Sequence, residues 1–72
     1  MQNYNNSVGG SNVIGYEIGN DFIIVQFKDY KTYKYSYSRA GSSHVDQMKQ
    51  LAIQGYGLNT YINKYVKKLY DI

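Results

Sequence analysis

The chain has no cysteine, no proline and no tryptophan, and only one histidine among its 72 residues. Without cysteine there are no disulfides, and without a thiolate to join His44 no structural zinc site is expected. Disulfides and zinc are two of the devices that commonly hold domains of this size together, because a short chain buries a modest fraction of its surface. Self-association is the device that remains. The ten tyrosines suit it, since each ring offers broad area with a polar edge. Long hydrophobic runs are missing as well. No apolar stretch approaches the roughly 20 residues that span a bilayer. Met1 to Gly10 shows no basic patch leading into an apolar run, so it does not read as a signal peptide. A cytoplasmic protein with no membrane partner is the expectation.

What is present fits one small domain. A hydrophobic content of 43% is compatible with a real core. The net charge of +3 permits an anionic partner without requiring one. Met1 to Gly10 is rich in Asn, Ser and Gly without apolar periodicity, so residues 1–10 read as a flexible leader before a domain over 11–72.

From Asn12 the pattern alternates. Asn12 to Ile18 reads as a strand with Ile14, Tyr16 and Ile18 on one face, and Gly19-Asn20 as a tight hairpin turn whose residues tolerate positive φ. Asp21 to Lys28 follows as a second strand, with Ile23, Val25 and Phe27 on one side and Phe22, Ile24 and Gln26 on the other. After a turn at Asp29-Tyr30-Lys31, Thr32 to Tyr37 makes a third strand whose three tyrosines share one face, leaving Lys34 and Ser36 on the other.

The period then changes. Val45, Met48, Leu51 and Ala52 recur at helical spacing, with Ser42 or Ser43 as the cap, Asp46 in an early position and Gly55 as the stop. A second helix begins near Leu58, with Leu58, Tyr61, Ile62, Tyr65 and Leu69 on its apolar face. Lys64, Lys67 and Lys68 form a basic ridge on its flank. The expected fold is α+β: a three-stranded antiparallel meander followed by two helices packed on one sheet face, βββαα. Val13, Phe22, Ile24, Lys34 and Ser36 would hold the second face.

Ser11 to Glu17, Ile23-x-Val25-x-Phe27, Tyr33-x-Tyr35 and Gly57-Leu58-Asn59-x-x-Ile62 together resemble the KTSC domain. That family is a small module found alone in bacterial and phage proteins and at the C-terminus of some lysyl-tRNA synthetases. The resemblance covers most of Ser11 to Tyr65. It departs at Tyr30, where family members often have Gly, at Ser38-Arg39, where they often have Val-Pro, and at Asn63, which often is basic. A role in RNA binding is what the association with synthetases implies. Abundant Lys, Asn, Ile and Tyr matches AT-rich coding genomes, as in a low-GC bacterium or its phage.

Candidate sites follow from residue chemistry. Lys64, Lys67 and Lys68, extended by Lys28, Lys31, Lys34 and Arg39 if the hairpin edge lies near that helix, are candidates for contacting phosphates. Tyr33 and Tyr35 continue the Ile23, Val25 and Phe27 face, so they are expected in the core rather than as a base-stacking platform. Phe22, Ile24 and Val13 are candidates for an interaction or oligomer face. His44 and Asp46 stand two apart on different helical faces. Nothing resembles a nucleophile elbow, a catalytic carboxylate pair or a metal cluster. The expectation is a binding module, not an enzyme, without a cofactor, that binds RNA or single-stranded nucleic acid. The alternatives are a protein-interaction module aimed at a host factor, and a homo-oligomer that holds a nucleotide or other small ligand.

Overall fold

Alternating β-branched and aromatic residues build the sheet, and the computed structural model describes it over residues 1–5 and 12–71. Its strands are β1 (Gln2–Asn3), β2 (Val13–Ile18), β3 (Phe22–Phe27) and β4 (Thr32–Ser36), all antiparallel and in sequence order. The α+β class and the meander agree with the sequence pattern. The strand count does not: β1 is a fourth strand, in a segment read as a flexible leader. The rest of that leader, residues 6–10, lies outside the described residues.

Tyr4 ties the β1 segment to the core, beside the pairing of Gln2 with Tyr16 and Asn3 with Gly15. Tyr4 is buried, its N–H donates to the Ile14 carbonyl at 3.0 Å, and its hydroxyl accepts the Leu58 N–H at 3.3 Å. Leu58 opens a helix, where backbone N–H groups have no partner within the helix. The chain's first residues thus satisfy a donor more than fifty positions away.

β3 is the central strand. Ile23 and Val25 are fully buried on its inner side, and the register sets Tyr35 beside Ile23 and Tyr33 beside Val25. Tyr35 is 1% exposed, which makes it a core residue. On β2 the register shifts between Val13 and Gly15, a bulge that adds Ile14 to the strand. The shift reverses the expected facing. Val13, which strict alternation put on the outer face, pairs with Phe27 and is 1% exposed in the core, whereas Ile14 is only half-buried.

The hairpin joining β2 and β3 also works differently from the expected positive-φ turn. Neither Gly19 nor Asn20 has a positive φ. Gly19 instead leaves room for the Phe22 ring, since a Cβ there would stand 2.1 Å from it and the ring would have to shift.

Helix α1 (Ser42–Gln54) buries Val45, Met48 and Ala52 against the sheet, as its stripe predicts, and ends at Gly55 in the left-handed conformation. Its N-cap is Gly41 at φ 97°, not Ser42 or Ser43, and no side chain caps it. Helix α2 (Leu58–Tyr61) continues into a π-helical segment, Ile62–Val66. A π turn closes i to i+5 and therefore rotates less per residue than the ~100° of an α-helix. Leu58, Ile62 and Val66 consequently share the core side. Tyr65, assigned to the apolar face by α-helical spacing, is instead 51% exposed. No helix among the described residues is long and apolar enough to cross a membrane.

The β3–β4 turn contains the one non-glycine residue with positive φ among those described, Tyr30 at 67°. Its ring is 75% exposed, so it gains little from packing. A left-handed conformation costs a residue with a Cβ about 1 kcal/mol. Tyr30→Gly is expected to raise stability by ~0.5–1 kcal/mol, since glycine adopts this conformation freely but loses more entropy on folding. Urea unfolding checks this through a higher midpoint at constant slope. A lower midpoint would mean that the exposed ring contributes more than its backbone costs.

Candidate functional site

Between the lower end of the sheet and the second helix lies a cleft of about 560 Å³. Four aromatic rings line it: Phe27 from β3, Tyr33 and Tyr35 from β4, and Tyr70 from the C-terminal tail. Phe27 and Tyr33 meet edge to face with centroids 5.6 Å apart, and Tyr70 lies 4.8 Å from Tyr33 and 6.4 Å from Tyr35. The edge-to-face contacts of Phe27 with Tyr33 and of Tyr70 with Tyr35 are favoured by the ring quadrupole.

The tail holds Tyr70 in place by polar contacts along the free edge of β4. The Asp71 N–H donates to the Lys34 carbonyl at 2.6 Å. Its carboxylate accepts the Ser36 hydroxyl at 2.8 Å from both oxygens, and the Ser36 N–H at 3.3 Å. Ser36 is buried, so these bonds satisfy groups that would otherwise lack water.

The cleft is bordered by charge and amides. Lys28 enters from the β3–β4 turn, and Lys67 and Lys68 from the end of the second helix. Asn12, Asn59 and Asn63 supply amides, each with both donors and an acceptor. Asp29 is the one acidic lining residue, and its carboxylate already accepts the Lys31 N–H at 3.1 Å. Three lysines and a single aspartate therefore border an aromatic floor. Such a cleft is chemically suited to a planar ring that carries a negative charge.

The sequence-derived basic set is divided by the structure. Lys67 and Lys68 line the cleft, and Lys64 does not. Lys64 sits within the π turn, its ammonium 5.7 Å from the Tyr65 ring centroid. Lys34 is on the outer face of the sheet, 4.8 Å over the Phe22 ring, and Arg39 is exposed in the turn after β4. Neither joins the cleft. Of the hairpin residues expected to extend the patch Lys28 does join it, and Lys31 does not; Asn12, Asn59 and Tyr70 also line the cleft, though no periodicity singles them out. Of the expected interaction face, Phe22 and Ile24 are half-buried on the outer side and Val13 is in the core.

Two further polar clusters lie on α1. His44 Nδ1 is 2.7 Å from the Tyr61 hydroxyl, with Tyr65 stacked at 6.1 Å, so its partner is a tyrosine from the next helix. Asp46 accepts the Tyr37 hydroxyl and stands 3.8 Å from Lys49. Among the described residues no group of three or more His, Cys, Asp or Glu is placed to hold a metal ion.

The cleft's aromatic floor has an electrostatic signature. Burial, and then the neighbouring phenols of Tyr33 and Tyr70, push the Tyr35 hydroxyl up to about 12. A phenol that ionises later in the folded chain than in the unfolded one stabilises the fold fully below pH ~10. That contribution is lost as pH rises from ~10 through the folded value. Titration of phenolate absorbance should show a last group near 12, absent in Tyr35→Phe. Its persistence in that variant would assign it elsewhere. No family model, curated protein or solved structure matches the chain.

Proposed function

We propose that the chain is a non-enzymatic module that binds RNA or single-stranded nucleic acid in this cleft. The observation that carries the reading is the convergence of Lys28, Lys67 and Lys68 around the rings of Phe27, Tyr33 and Tyr70. Single-strand sites pair a basic track for the phosphates with aromatic faces for unstacked bases. In this reading a base enters against Tyr33 and Tyr70, while the lysines take the flanking phosphates. Asn59 and Asn63 offer hydrogen bonds to the base edge. The order of the strand and helix motifs, similar to that of the KTSC domain, supports the same reading.

A free nucleotide is the second reading, and the cleft size favours it. At about 560 Å³ the cleft falls within the range of small-molecule sites. Thermal stabilisation by nucleoside monophosphates, without further gain from longer strands, would select the nucleotide.

Fluorescence anisotropy with labelled single-stranded RNA across a salt series tests the proposal. Affinity should fall with salt, each lysine contact contributing a slope of roughly 0.7 in log–log form. Lys67→Glu with Lys68→Glu should abolish binding. Tyr70→Ala should weaken it by an amount worth ~1–3 kcal/mol, and Arg39→Glu should change it little. Absence of binding at low salt overturns the proposal.

A further inference from the structure

We propose that the outer face of the sheet is a self-association surface, on which two copies of this chain pack face to face about a two-fold axis running along the strands. The inner face is spent on the helices, which join Ile23, Val25 and Tyr35 in one core. The outer face carries Phe22 and Ile24 at its centre, on the middle strand, with no fully buried apolar residue around them. The nucleic-acid cleft lies on the helix side, so the two surfaces are separate.

Charge order identifies the occupant as a second copy. The register aligns Glu17, Ile24 and Lys34 in a single row across β2, β3 and β4. The row is acidic at one end, apolar in the middle and basic at the other. Glu17 is exposed and makes no ion pair among the described residues. Lys34 holds its ammonium over the Phe22 ring, at the border of the apolar centre.

Such a row is complementary to itself when reversed. A two-fold axis parallel to the strands, lying between the two sheets, performs that reversal. It sets Glu17 of each copy against Lys34 of the other, and Ile24 and Phe22 against their own equivalents. An axis along the row would oppose Glu17 to Glu17 and Lys34 to Lys34, which like-charge repulsion disfavours. Charge therefore favours the isologous arrangement with its axis along the strands over the one with its axis along the row. Sheets packed this way run nearly aligned, crossing at about 30°.

The size of the face sets the strength. The nineteen strand residues, at ~3.3 Å rise and ~4.8 Å between strands, present roughly 300 Å² per copy in projection. That is well below the roughly 800 Å² per partner of stable specific interfaces. A weak dimer that dissociates in the high-micromolar to millimolar range is therefore expected.

Sedimentation equilibrium of the full chain from micromolar to millimolar concentration is the test. The expected result is a reversible monomer–dimer system. Ile24→Glu should weaken it at least ~10-fold, and Glu17→Lys or Lys34→Glu alone severalfold. The double variant Glu17→Lys/Lys34→Glu should return to within ~2-fold of the parent, because the reversed row is again self-complementary. Circular dichroism reports whether each variant folds, and the charge variants carry the test if Ile24→Glu does not. A monomer at every concentration overturns the proposal. So does a dimer indifferent to the single charge reversals, or a double variant as weak as the singles. Persistent dimer in lysine-to-glutamate variants of the cleft separates this surface from the nucleic-acid reading.

Discussion

The alternation of β3 is the constraint on which the other features rest. Fully burying an isoleucine or valine is worth ~1.5–3 kcal/mol, and Ile23 and Val25 are both fully buried at the centre of a small core. Period two then dictates the rest. Because these two point inward, the register brings Tyr33 and Tyr35 in beside them, and Phe27 follows on the same side to meet Tyr33. Phe22 and Ile24 are sent outward by the same rule, away from the helices. The cleft and the outer face are thus opposite products of one six-residue strand.

Two departures from regular periodicity reassign particular side chains. The bulge at Ile14 lets Val13 enter the core and gives the neighbouring backbone a carbonyl that Tyr4 uses. The π turn over Ile62–Val66 carries Val66 inward and Tyr65 outward, where it meets His44 and Lys64. A single extra residue in each case changes which face the following side chain occupies, and π turns recur beside functional surfaces in other proteins.

What was legible in the sequence was local. The three strands of the meander, the α1 stripe and the Gly55 stop follow from spacing and from single-residue conformational preference. The bulge and the π turn were not legible, since strict periods two and 3.6 contain no term for an inserted residue. Nor was β1, because two strand residues make no pattern and Tyr4 is held by Leu58, a contact 54 positions away. The candidate site divides the same way. Lys67 and Lys68 announced themselves by helical spacing, whereas Tyr70 reaches the cleft through Asp71 and Ser36, 35 positions apart. Lys34 and Arg39 were grouped with the helix lysines by charge alone, and the meander carries them elsewhere.

The docking of Asp71 on β4 has a consequence for how copies of this chain meet one another. A bare lateral strand offers a ladder of open amide and carbonyl groups, a template onto which further chains add without limit. Here the Lys34 carbonyl on that margin is already taken by the tail, and the opposite margin is a strand of two residues. Lengthwise polymerisation by strand addition is thereby discouraged at both sides. In the proposed dimer, contact through the sheet's face closes after two copies, so the docked Asp71 and the two-residue margin favour a finite assembly over a fibre.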